Sequence, residues 1–141
     1  MKASYLIAMA CGVALFATGC KSSDTRHTFS IADALNSPQA KEVLDPSIQV
    51  RFARGGGHVT HKGLVSNKKT NAVGKSDLEA CQWAFLSAVK QFQERARKEG
   101  ANKVVNLISY YKKVPYKSTS EFECHSGNLM TGVALKGDLA R

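Results

Sequence analysis

The stretch SDLEACQWAFLSAVKQFQERARKEG, residues 76–100, decides how this chain folds. Ser76 and Glu79 stand three apart, the spacing of a capping box, in which serine and glutamate satisfy free backbone donors at a helix start. Leu78, Cys81, Phe85, Ala88, Phe92 and Ala96 then recur at three- and four-residue intervals, and Ala84 and Val89 widen the stripe. Lys90, Glu94, Arg97 and Lys98 occupy the other side. Gly100 stops the helix, and Arg97 and Lys98 suit the negative end of its dipole. One long helix with a single apolar face needs a sheet to cover that face.

The flanks supply the sheet. Lys103 to Tyr111 is rich in valine, isoleucine, leucine and tyrosine, and reads as a central strand. Thr119 to His125 alternates, with Phe122 and Cys124 on one face and Glu121 and Glu123 on a solvated one. Leu129 to Leu139 is a last strand, with Leu129, Val133, Leu135 and Leu139 inward. Upstream, Ile48 to Phe52 alternates, Lys62 to Asn67 is a weaker strand, and Lys68 to Lys75 is a basic loop. Ser30 and Ser37-Pro38 open two short helices, the second ending near Leu44. The expected class is α+β: two layers, one long amphipathic helix packed on a small antiparallel sheet, with short N-terminal helices.

The N-terminus reads as an export signal. Lys2 is followed by an apolar run, Tyr5 to Phe16, then by Ala17-Thr18-Gly19-Cys20. The run is short for a membrane span, which needs roughly 20 apolar residues. A cysteine closing the small-residue box resembles the lipobox of bacterial lipoproteins, in which that cysteine is lipidated and becomes the first residue. The expected organisation is a signal peptide over 1–19, lipidated Cys20 with a tether to residue 29, and one domain over 30–141. Lys21 follows the cysteine where aspartate would retain a Gram-negative lipoprotein in the inner membrane. That resemblance implies a cell outer-membrane location, lipid-anchored, with the domain facing the periplasm.

The chain has 141 residues, enough for one domain, and hydrophobic and charged contents of 43% and 22% are globular values. Twenty Lys and Arg against 11 Asp and Glu leave a net charge of +9, which falls to +8 when Lys2 leaves with the signal. In the cytosol such a balance suggests nucleic acid. Outside it, the available polyanions are envelope polymers and lipid headgroups, so no nucleic-acid partner is expected. Of four cysteines, Cys11 is removed and Cys20 is lipidated. Cys81 and Cys124 remain in an oxidising compartment and read as a disulfide. Cys81 stands roughly 27 Å up the helix from its end. If a hairpin turns at Tyr116–Lys117, Cys124 falls opposite Ser109, roughly 26 Å back along the return strand. The two heights agree.

Other motifs weigh less. Gly74-Lys75-Ser76 imitates the end of a phosphate loop, but Lys69 occupies the place of its first glycine. Gly74 as a turn and Ser76 as a helix cap suffice. His58 and His61 make half a zinc site and read first as solvated loop histidines. No catalytic set is legible, so no enzyme and no cofactor are expected. Lys62, Lys68, Lys69 and Lys75 are the candidate contacts for an anionic ligand.

The segments NKKTNAVGKSD (67–77), CQWAFLSAV (81–89), ERARKEGANKVVNLISYYKK (94–113), EFECHSG (121–127) and GVAL (132–135) carry a resemblance. They are similar to small Gram-negative lipoproteins of unknown function that bear the mistaken label "excinuclease ATPase subunit". More remotely, Cys81, Gly100-Ala101-Asn102, Cys124 and Gly132 to Leu135 resemble, in order, RcsF-type outer-membrane lipoproteins. In those proteins the matching cysteines are bonded and the role is stress sensing. This chain lacks that family's second cysteine pair and its proline-rich tether. The expected function is a non-enzymatic envelope interaction or sensor module, held to the membrane through its N-terminal lipid and meeting an envelope protein or anionic polymer. The alternative is a small periplasmic binding protein for a metal ion or an anionic ligand.

Overall fold

The computed structural model describes residues 24–141. Cys20 and Lys21, with the signal peptide, lie outside the described residues. Ten elements follow in chain order: β1 (Thr25–Ser30), α1 (Ile31–Leu35), α2 (Pro38–Val43), β2 (Gln49–Phe52), β3 (Val59–Asn71), α3 (Asp77–Lys98), β4 (Lys103–Ser109), a 3₁₀ turn (Tyr111–Lys113), β5 (Glu121–Ser126) and β6 (Met130–Ala140). The class is α+β, with one long helix against a six-stranded sheet.

The local start signals act as read. Ser76 Oγ accepts from the Glu79 amide, Ser37 Oγ from Ala40 and Ser30 Oγ from Asp33. Gly100, at φ 71°, ends α3 in a left-handed conformation that favours glycine. The buried face of α3 includes Cys81, Ala84, Phe85, Ala88, Val89, Phe92 and Ala96. Leu78 departs from the expected stripe and is exposed. Phe85 is the centre of the core. Its ring stacks on Phe122 with centroids 4.1 Å apart and on Phe52 at 5.6 Å.

Strand β6 organises the sheet. On one side it pairs antiparallel with β3 from Val59↔Ala140 to Asn71↔Met130. On the other side β4 takes its C-terminal half, and β5 joins only at His125↔Gly132 and Ser126↔Thr131. Gly137 lets β4 and β6 approach: a Cβ there would stand 2.8 Å from Leu107 Cδ1. Leu129, expected inward, precedes β6 and is exposed.

Three further readings change. The sheet is mixed, because β2 runs parallel to β4. The intervening β3 and α3 give the long crossover that a parallel pair requires. Lys68 to Asn71 belong to β3 rather than to a loop, since the ladder with β6 supplies partners that local composition does not reveal. Thr25 to Phe29, read as tether, form most of β1 and pair antiparallel with β5 from Thr25↔Ser126 to Ser30↔Glu121. A polar segment becomes a strand here because a neighbouring edge satisfies its backbone.

Candidate functional site

Cys81 comes from the second turn of α3 and Cys124 from the middle of β5. Their sulfurs are bonded, with Cα atoms 5.8 Å apart, and both residues are fully buried. The expected pairing is present, but the expected register is not. Ser109 pairs with Leu135 and bridges to Tyr116, so Cys124 is not its partner. The Ser109 hydroxyl instead accepts from the Glu123 amide at 2.9 Å. Strand β5 therefore reaches the helix beside β6, with only a two-residue ladder to the rest of the sheet. The disulfide staples the β1–β5 ribbon to α3.

A charged cluster closes the same ribbon. The ring of His125 stacks on Tyr111, with centroids 3.5 Å apart and 8° between planes. Its Nδ1 lies 2.7 Å from Asp24 Oδ1 and its Nε2 3.0 Å from Glu123 Oε2. Both ring nitrogens thus face carboxylate oxygens. Arg26 Nε donates to Glu123 Oε1 at 3.1 Å, and Lys112 Nζ to Asp24 Oδ2 at 3.2 Å. Slight burial pushes the Asp24 carboxyl up, but hydrogen bonds from His125 and Lys112 outweigh it and hold it below its usual range. Burial, then the nearby Asp24 charge, raises the Tyr111 phenol. Glu123, expected on a solvated face, is buried, and Arg26 and His125 supply the partners that a buried carboxylate needs. Alternation places Glu123 on the face opposite Phe122, but it does not reveal the Arg26 and His125 side chains that meet it there.

The pairing of β1 with β5 also brings His27 beside Ser126, and Asp77 at the start of α3 stands near the same ring. Nε2 of His27 lies 2.8 Å from Ser126 Oγ and 3.5 Å from Asp77 Oδ2. In a catalytic triad the two ring nitrogens divide these tasks. Here one nitrogen faces both groups, so the set lacks the geometry of proton transfer from serine through histidine.

The candidate lysines do not converge. Lys68 and Lys69 are neighbours in a strand and point to opposite faces. Lys62 lies beyond a register shift, roughly 20 Å down β3 from Lys68. Lys75 Nζ donates to the Asn71 carbonyl at 3.0 Å. Strand β3 pairs on one side only, with β6, and lysines on such an edge discourage the addition of further strands. A cleft of about 300 Å³ opens between β3 and α3, where Arg95 and Lys98 are accompanied by Glu94.

His58 and His61 also stay apart in role. The His58 backbone pairs with Arg141, while His61 Nδ1 faces Thr60 Oγ1 at 3.0 Å and its Nε2 faces Glu99 at 3.4 Å. Among the described residues no group of three or more histidine, cysteine, aspartate or glutamate side chains is placed to hold a metal ion. Nor is any helix among them long and apolar enough to cross a membrane.

No family model, curated protein or solved structure matches this chain.

Proposed function

We propose that this chain is an outer-membrane lipoprotein acting as a non-enzymatic envelope interaction or sensor module. The observation that carries the reading is the disposition of its cysteines. Cys20 ends a signal-like apolar segment and a small-residue box, and the two cysteines after it are joined in the core. A buried disulfide suits an oxidising compartment. A lipid on Cys20 adds the membrane attachment.

The fold supports a mechanical link between anchor and domain. The chain leaving Cys20 enters β1 within a few residues. Strand β1 is bonded along its length to β5, and β5 is stapled to α3 through Cys124. The Asp24–His125–Glu123–Arg26 cluster locks the entry point. A shift of the domain relative to the membrane therefore bears first on the β1–β5 ribbon, a suitable element for an interaction or sensing surface. The anion-binding alternative has no converging set of lysines behind it.

The test is Cys20→Ser, with labelled palmitate incorporation and membrane fractionation. The wild-type chain is expected to take up palmitate and sediment with the outer membrane, and the variant to remain soluble in the periplasm. Lys21→Asp is expected to move the lipidated chain to the inner membrane. Wild-type protein without palmitate, in a soluble fraction, refutes the reading.

A further inference from the structure

Large apolar side chains are unevenly placed on this surface. Six are exposed among the described residues, and four of them, Val73, Leu78, Leu129 and Met130, lie at one end. Leu129 is 69% exposed and Val73 62%. The backbone holds these residues together. The Ala72 amide donates to the Leu129 carbonyl at 2.9 Å, and Met130 pairs with Asn71. Leu78 follows in the first turn of α3.

The same end receives the anchor. Thr25 pairs with Ser126, immediately before the β5–β6 hairpin that carries Leu129. Asp24 is four residues after Cys20, a span of at most roughly 14 Å. A lipid at Cys20 would therefore hold this apolar end, rather than the Gly100–Arg141 end, against the bilayer. We propose that the tip formed by the β3–α3 turn and the β5–β6 hairpin docks on the lipid bilayer, its apolar side chains entering the headgroup region. The proposal rests on the lipoprotein reading. It gives the anchored domain a fixed orientation, with the Gly100–Arg141 end pointing into the periplasm.

The charges select the mode of docking. Lys68, Lys69 and Lys75 lie near the tip, and Asp77 and Glu79 occupy the first turn of α3 beside them, an excess of one positive charge. Asp77 is itself close to His27. The tip is nearly balanced, so attraction to anionic lipid contributes little. Insertion of apolar groups, about 5–10 Å deep in such contacts, carries the association. Added salt should leave it unchanged.

The experiment uses the full lipidated chain with Trp83→Phe, so that one new tryptophan reports alone. Leu129→Trp, Val73→Trp and Lys98→Trp are each reconstituted into phosphatidylethanolamine–phosphatidylglycerol vesicles, with and without lipids brominated near the top of the acyl chains. Lys98 is the control, roughly 30 Å along α3 from Leu78. Flotation reports anchoring separately. The Leu129→Trp and Val73→Trp chains are expected to lose about half of their emission to brominated lipid, at low and high salt alike, and the Lys98→Trp chain none. Chains that float but are quenched no more at 129 and 73 than at 98 overturn docking and leave the anchor standing. Blue-shifted emission without quenching assigns the tip to a protein contact and also overturns it. Failure to float refutes the anchor and the docking together.

Discussion

Removing the Cys81–Cys124 bridge tests both the stability and the organisation of the fold. The perturbation is Cys81→Ala with Cys124→Ala in the full chain. The bridge closes a 43-residue separation, and the loop-entropy relation gives about 4 kcal/mol for that length. Domains of this size are stable by about 5–15 kcal/mol, so the loss is a large fraction. It corresponds to a fall in Tm of about 15 °C. The effect should also be local. Strand β5 meets β6 at two ladder positions only, whereas β3 and β6 pair over most of their lengths. Without the bridge, the ribbon keeps Phe122 against Phe85, the short ladder, the Glu123–Ser109 hydrogen bond and the His125–Tyr111 stack. Scanning calorimetry measures the first effect. Amide hydrogen exchange measures the second, with β1 and β5 expected to lose protection before β4 and β6. A Tm lowered by less than about 4 °C, near 1 kcal/mol, would refute the loop-entropy argument. Equal loss of protection in β4 and β5 would refute the staple.

Two further outcomes follow from the same structure. Phe85→Ala should cost about 4 kcal/mol in urea unfolding, since the ring is fully buried between Phe52 and Phe122, and a cost below about 2 kcal/mol would mean the core collapses around the gap. Hydrogen bonds from Ser47, then Arg97, hold the Asp45 carboxyl at about 2 against an ordinary 3.8. Its contribution is therefore complete above about pH 4 and disappears as pH falls towards 2. Asp45→Asn should flatten the dependence of Tm on pH across that window, and an unchanged slope would refute it.

Much of the fold is legible in short-range signals. Ser76, Glu79 and Gly100 bound α3, and its three-and-four spacing marks the face that Phe85 and Phe92 bury. Ser30, Ser37 and Pro38 start the two short helices for the same local reason. Cysteine count and a signal-like N-terminal pattern point to Cys81 and Cys124 before any distance is known. What escapes is pairing between segments distant in sequence. The strand formed by Thr25 to Ser30 has a polar, tether-like composition, and only the edge of β5 makes it a strand. The charged cluster is hidden for the same reason. Asp24 and His125 are 101 positions apart, and no spacing rule joins them.

The sequence alone determined which residues prefer to be helical and which prefer to be buried. Those are properties of single residues and their near neighbours, set by backbone sterics and transfer from water. The tertiary structure decided the parallel run of β2 beside β4, the burial of Glu123, the dispersal of the four candidate lysines and the gathering of Val73, Leu78, Leu129 and Met130 at the end where the N-terminal segment enters. Each depends on which backbone edge meets which, and that choice belongs to the whole sheet and not to any one of its strands.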